Sequence, residues 1–365
     1  KRAGHDMKST REESMHYWRS LAMRAGSARL WRRGATDRAL GVDLGAASAK
    51  WVDLSRTSGG SARRRWRLEA AAVLPWRAQA PAGSCIDAEG LITDMGAAVA
   101  ALRPMVEQQG WRGREAVAAM PAAGVTVRRL QVPPGLGERD LELEVQVQAE
   151  ALLPQSLAQS HLDYVVESDG HVRMVAAPQA AVDARCEALE QAGLRVVAVD
   201  LTTDALRRMA MRALRTMQTA PHTRHDTVCA LIDIGLHAAR IQVLWGERVL
   251  HEREKAGLGA QALQAMTVEA AAQALSGALT LFFDGRVHGL QTILLCGALA
   301  SRPGLTQAMQ VCNLCTCEAL TPFTGFEYAD TVDRVWLHPH APGLAAACGL
   351  ALHAWSNEAA PQVAA

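Results

Sequence analysis

Lysine is almost missing from this 365-residue chain: it occurs only at Lys1, Lys8, Lys50 and Lys255. Nearly all positive charge is arginine, and with alanine so frequent the bias reads as codon usage more than as function. A lysine inside a glycine-containing turn, as at Lys50, therefore stands out. Net charge is missing too. At +1 the chain as a whole is by composition neither a nucleic-acid binder nor a polyanion. No apolar run reaches the roughly 18 residues of a bilayer span. The nearest, Val268 to Phe283, is broken by Glu269, Gln273, Ser276 and Thr280 and suits a buried helix. Near the start there is no short apolar core of a secretory signal, and the eight cysteines are scattered. Both features predict a reduced, cytosolic compartment. Cys312, Cys315 and Cys317 do cluster, and His338 and His340 could complete a zinc set with them. Three close cysteines without a second pair are a weak zinc signal, so ordinary thiols are the expectation. Neither a Ser-His-Asp spacing nor a sugar-pocket signature occurs.

Apolar residues, by contrast, make up 49%, ample material for buried cores. The length suits two domains. Residues 1 to 38 differ from the rest, with ten Lys or Arg against four Asp or Glu and no sustained apolar period. A lipid-touching basic arm is one reading. The expected one is a disordered extension, or sequence upstream of a true start at Met7, Met15 or Met23, because apolar anchors are few.

From Ala39 the pattern is regular. Ala39 to Gly45, Lys50 to Leu54 and Arg65 to Val73 read as three strands of a meander, with a Ser/Gly-rich turn at Ser58 to Ser61. Met95, Val99, Leu102 and Val106 predict a helix over 94–109, and Glu115 to Met120 a strand. Gly137 to Leu153 predicts a helix stopped by Pro154. A strand at 172–177, a helix at 181–192 and a strand at 195–200 follow, with Gly193 placed as a helix C-cap. After a polar linker (Thr219 to His225), Thr227 to Gly235 repeats the apolar-Asp-apolar-Gly strand end of Val42 to Gly45. Strands at 239–245 and 248–252, the helix at 268–283 and a strand at 292–296 complete a second unit. A duplicated α/β unit with a mixed sheet predicts a cleft between its halves.

Asp43 and Asp233 each end a first strand, and Gly45 and Gly235 each open a hairpin. Two such turns can present backbone N–H groups and one carboxylate apiece to a phosphate–magnesium unit. Ile293 to Ser301 adds a strand ending at Gly297 in a small-residue turn, where a base or ribose can approach the backbone. The spacing of these parts resembles an actin-like ATPase. Gly41-Val-Asp-Leu-Gly-Ala-Ala-Ser-Ala-Lys50 then resembles the opening motif of the PilM family of type IV pilus proteins. Further matches are Ala119 to Ala123, the helix ending Leu152-Leu-Pro154, His161 to Tyr164, Ala192 to Asp200, Leu231 to Gly235, Arg253-Glu254, Leu294 to Leu305 and Ala346 to Leu352. They run in order over about residues 39 to 355.

The resemblance implies an actin-like, RNase H-like duplicated two-domain fold with a central cleft. Its domains are expected at 39–205, with an inserted subdomain at about 75–170, and at 206–342. A C-terminal helix at 343–355 should pack back on the first domain. Asp43, Gly45, Ser48, Lys50, Asp233, Gly235 and Gly297 would contact ATP, with magnesium held through water by Asp43 and Asp233. The partners implied are the cytoplasmic N-terminus of a PilN-like membrane protein and other pilus inner-membrane components. The protein would be a cytoplasmic scaffold, peripheral to the inner membrane through those partners, with no transmembrane segment of its own and no nucleic-acid ligand. An active ATPase is the alternative.

The departures from the family pattern point away from catalysis. Ala46 and Ala47 stand where hydroxyl residues are usual, Leu236 and His237 where small ones are, and Gly297-Ala298 where two glycines are. Gln148 replaces a Glu, and Gln cannot accept a proton at neutral pH. The helical subdomain of the second half is missing, since Gln261 runs almost directly into the helix from Thr267. ATP and magnesium are thus expected to bind weakly or not at all, with no catalytic residue assigned.

Overall fold

The computed structural model describes residues 37–57, 65–76, 85–167, 169–217, 228–246, 248–281, 289–353 and 355. The basic segment 1–38, apart from Asp37 and Arg38, lies outside these residues. So do the turn at Ser58 to Ser61 and the linker at Thr219 to His225.

The apolar run ending in Asp43 forms β1 (Arg38–Leu44), buried along six of its seven residues. Such a run belongs in the middle of a sheet covered on both faces. β1 pairs antiparallel with β2 (Ser48–Thr57), and β2 with β3 (Arg65–Pro75). On its other side β1 pairs parallel with β4 (Glu115–Met120), and β4 with β8 (Arg195–Leu201). α1 (Met95–Gln108) covers this sheet, and Asp94 starts it by accepting a 2.9 Å bond from the Ala97 N–H. Pro104 lies inside α1. α3 (Gln179–Gln191) precedes β8, and Gly193, at φ +107°, makes the turn between them.

The second half repeats this order. β9 (Val228–Ile234), β10 (Ala238–Trp245) and β11 (Arg248–Ala256) form an antiparallel meander. β9 also pairs parallel with β12 (Leu290–Gly297), and β12 with β13 (Thr316–Ala319). The sheets thus read β3-β2-β1-β4-β8 and β11-β10-β9-β12-β13. One short strand crosses over: β14 (Glu327–Tyr328) from the second half adds to the edge of β3. β11 passes into α5 (Ala260–Gln264) and α6 (Val268–Thr280) with no further subdomain between them. α7 (Leu305–Asn313) and α8 (Arg334–His340) complete the second half.

Two expectations on boundaries need correction. The segment with a sheet of its own is not 75–170. That span includes α1 and β4, and β4 is a central strand of the main sheet because it pairs β1 with β8. The separate layer is β5 (Thr126–Leu130), β7 (Val172–Pro178) and β6 (Ser160–Val166), covered by α2 (Glu138–Leu152). A domain limit at 205/206 falls inside α4 (Thr202–Met217), a continuous helix after β8.

The halves are joined by α9 (Ala345–His353), whose residues 345 to 352 are all buried. It lies against β1, β2, β4 and α4. Its small side chains let backbones touch: a Cβ at Gly41 of β1 would overlap the Ala347 carbonyl, and one at Gly349 would overlap Ala205 of α4. One continuous core holds Val52 and Leu54 of the first sheet, Leu231 and Leu294 of the second, and Ala347 and Ala351 of α9. The inserted layer is anchored by polar contacts. Arg173 Nη2 donates to both Asp204 carboxylate oxygens at 2.8 and 3.0 Å. The buried His161 imidazole meets Asp183 at 3.0 Å.

Gly41→Ala should lower stability by more than about 3 kcal/mol, because the clash is with backbone. Gly277→Ala, at an exposed position of α6 where a Cβ meets nothing within 4 Å, should raise it by roughly 0.5–1 kcal/mol. Chemical denaturation of both variants checks this. Burial also pushes the His161 pKa down to about 2. The native state then holds fewer protons than the unfolded chain below about pH 6.5. Stability should fall as pH drops from there, by up to roughly 1.4 kcal/mol per pH unit from this group. His161→Gln should flatten that slope in denaturation curves taken across the range.

Candidate functional site

The C-terminal ends of β1 and β9 face each other across a cleft. All seven candidate residues (Asp43, Gly45, Ser48, Lys50, Asp233, Gly235 and Gly297) line it. Glycine turns build both walls. In the first, Gly45 N–H donates to Ser48 O at 3.1 Å, and the Trp76 indole N–H donates to Gly45 O at 2.7 Å. In the second, Gly235 N–H donates to Ala238 O at 2.9 Å. The start of α5 braces this turn: Ala260 and Gln261 N–H donate to Gly235 O and Leu236 O at 2.7 and 3.0 Å. Gly259 allows this approach, since a Cβ there would overlap His237. Gly297, at φ +88°, closes the floor against Ile234, and Ala298 N–H donates to Ile234 O at 2.9 Å.

Each half sets an aspartate opposite a cation on the next strand. Asp43 pairs in register with Lys50, and Asp233 with Arg240. In the first half the pair is closed, with Lys50 Nζ 3.0 Å from Asp43 Oδ2. In the second, Arg240 turns to Glu252 at 3.3 Å and to Glu254. Burial pulls the Lys50 pKa down, but the charge of Asp43, its hydrogen bond and the charge of Asp233 outweigh that and hold it above the ordinary value. Burial raises the Asp233 carboxyl against the pull of Lys50. Burial, with Asp233 beside it, also drives the Cys296 thiol well up. The Cys296 thiol lies 3.7 Å from Asp233 Oδ1. Beneath the first turn Arg185 is fully buried, and burial brings it down to about 10. It donates to Leu44 O at 3.2 Å and to Gly90 O.

Several lining residues were not foreseen: Glu89 and Gly90, Thr202, Arg240, Glu254 and Gly343. Arg240 was legible, because it follows Asp233 at the spacing at which Lys50 follows Asp43. Gln148 needs correction. It is not among the cleft residues; its side-chain amide sits on α2, donating to Gln131 O at 2.9 Å and to Glu144 Oε1 at 2.7 Å. Its replacement of a Glu therefore says nothing about a general base in the cleft. Cys312 is exposed, Cys315 half-buried and Cys317 buried. No group of three or more His, Cys, Asp or Glu able to hold a metal occurs among the described residues.

Three features of the cleft weigh against tight binding of a magnesium nucleotide. Its volume is about 200 Å³, below the roughly 300–1,000 Å³ of small-molecule sites. A lysine already neutralises Asp43, and Ala46 and Ala47 bring no hydroxyl to the first turn.

Two sheets of one topology, joined by a buried helix and facing each other through paired Asp–Gly turns, define an actin-like protein. The sequence matches the family of type IV pilus assembly protein PilM over residues 41–269 and 262–355, and the chain belongs to that family. The two matched segments overlap in α5 and α6, where the second half is short. A structure of the PilM-PilN type IV pilus biogenesis complex is 22% identical and superposes with a TM-score of 0.69, covering 88% of this chain and 99% of that one. The ethanolamine utilization protein EutJ from Carboxydothermus hydrogenoformans is 14% identical, covers 87% of this chain and 90% of its own, and gives a TM-score of 0.47. No described helix is long and apolar enough to cross a membrane.

Proposed function

We propose that this protein is a cytoplasmic scaffold of the type IV pilus inner-membrane assembly complex, binding the cytoplasmic N-terminus of a PilN-like membrane protein. Family membership supports the assembly, and the likeness to the PilM-PilN complex supports the partner. One observation on this chain carries the site. Val127, Leu143, Val147, Leu152, Val165 and Val166 are exposed, and all belong to the inserted layer. So dense a group of large apolar side chains marks a contact surface.

The layer has two sides, and we assign the peptide to the one that looks back at the main domain. Val165 stands opposite Arg173 and Val127 opposite Val175 in the sheet register. Val175 packs on the first core, and Arg173 reaches Asp204 of α4. Val127 and Val165 therefore share the face of the small sheet that carries Val175 and Arg173 and turns towards α4. A short peptide there would bury a few apolar side chains at roughly 25 cal/mol per Å², before ordering costs. Membrane attachment would come through such partners. ATP and magnesium would bind weakly or not at all, and partner binding would not depend on them. A ligand shifts a conformational equilibrium only by its differential affinity for the states, and this cleft offers a nucleotide little.

Calorimetry with a synthetic peptide of the partner's N-terminus should give an affinity on the order of micromolar, unchanged by Mg-ATP. Val165→Glu should weaken it at least tenfold, while Val147→Glu, on the far side of the layer, should not. Binding seen only with Mg-ATP would sink the scaffold reading, and no binding in either condition would sink the partner. Phosphate release from Mg-ATP should match a buffer blank. Release that is abolished by Asp43→Ala would establish the ATPase alternative.

A further inference from the structure

The inserted layer has an outward face as well. α2 covers the side of the small sheet opposite Arg173 and Val175, where its buried Val145 and Ala149 share a core with Val172 and Met174. Leu143 and Val147 each stand two residues, about half a turn, from those buried positions. They are four residues apart on the solvent side, and 52% and 68% exposed. Asp140 and Glu150, beyond either end of the pair, are exposed too. Two of these residues work against the helix itself. A valine is stiff in a helix, and at 147 no packing offsets that. Glu150 sits in the last turn, where the negative end of the dipole disfavours an acid. Glu138, Asp140, Glu142, Glu144 and Glu150 stand against the single Arg139 of α2. On the small sheet Glu167 and Asp169 are paired by Arg129. Among the described residues no side-chain hydrogen bond or ion pair forms at Asp140 or Glu150. Choices that oppose local stability without a packing gain are expected where a surface serves a contact.

We propose that the outward face of α2 is a docking surface for a basic amphipathic helix of a partner protein. Leu143 and Val147, at i and i+4, take the apolar stripe of that helix. Asp140 and Glu150 take arginines or lysines beside the stripe. Charge selects this occupant. An anionic lipid surface is repelled by a helix with such an excess of acids. A second copy offering the same face brings like charges together. A cationic helix gains from both the apolar pair and the unpaired carboxylates. This surface lies on the side of the layer away from the peptide site proposed above, and the inference stands whether or not that peptide binds.

The probe is a labelled synthetic helix of about 18 residues, with leucine at i, i+3 and i+4 spacing and arginine elsewhere, titrated with the full chain by fluorescence anisotropy. Its affinity should be on the order of tens of micromolar at about 50 mM salt and should fall at least fivefold by about 300 mM. The same peptide with glutamate in place of arginine should not bind. Val147→Lys should weaken the arginine peptide at least tenfold. Glu150→Lys should weaken it roughly fivefold while leaving the melting temperature unchanged or slightly higher, since a cation suits the last turn. Val165→Glu, on the other face of the layer, should change nothing. Three outcomes overturn the proposal. One is binding indifferent to Val147→Lys and Glu150→Lys. Another is self-association of the wild type that Val147→Lys abolishes, which gives the face to a second copy. The third is a full chain that ignores the probe, even where removing residues 1–36 then lets it bind, which gives the face to this chain's own basic segment.

Discussion

The close backbone contact of α9 with β1 and α4 is the constraint on which the arrangement rests. A helix made of alanine, glycine, leucine, one cysteine and a terminal histidine, buried for all but that last residue, has no amphipathic face to direct it. What directs it is shape. Gly41 lets the Ala347 carbonyl approach the central strand, and Gly349 lets Ala205 approach from the other side. Interiors packed to crystal density yield little, so the helix has one seat. Because its core reaches residues of both sheets, that seat fixes how the halves face each other. The last described helix of the chain thereby sets the geometry of a cleft whose charged residues come from β1, β2, β9 and β10.

Given that geometry, the chemistry of the cleft follows from strand register. In each half a cross-strand neighbour puts a cation opposite the strand-ending aspartate. The glycine turns beyond them cannot spread: Trp76 holds the first through its indole N–H, and the start of α5 holds the second. After β11, α5 packs directly under the Leu236–Ala238 turn. That wall of the cleft is thereby held by the element that follows it in the chain.

Much of this was legible in the sequence, for reasons that also explain what was not. The strands β1, β4 and β9 announced themselves as apolar runs because central parallel strands are covered on both faces. The repeat of apolar-Asp-apolar-Gly at 42–45 and 232–235 gave the duplication and, with it, Asp43, Gly45, Asp233 and Gly235; the resemblance over 41–50 supplied Ser48 and Lys50, and the small-residue turn after β12 supplied Gly297. β5 and β6 were invisible because their sheet is half exposed and rich in Arg, Ser and Asp. Here cross-strand partners decide strand formation more than intrinsic preference does. α4 was passed over although Leu206, Met209, Ala210 and Leu214 have helical spacing and Asp204 opens its first turn. Its many arginines hid a stripe that periodicity alone would have found. The role given to Gln148 failed for a different reason. A position in a family motif carries a residue into three dimensions only if the element holding it reaches the site, and α2 covers the small sheet instead.

The same facts bear on whether an actin-like protein of this kind can still signal through its cleft. Coupling between two sites requires two states that each ligand distinguishes. Such an equilibrium needs a hinge with some freedom and a ligand whose binding differs between open and closed forms. Here α9 is clamped by backbone contacts on two sides, and Lys50 is paired with Asp43. A phosphate entering the cleft would compete with Asp43 for Lys50. The inserted layer meets the main domain through Arg173–Asp204, His161–Asp183 and the packing of Val175 and Ala177 on the first core, none of which lines the cleft. A surface held by contacts outside the cleft suits the scaffold proposed above better than a nucleotide-driven switch, which needs its ligand site and its partner site to share an element.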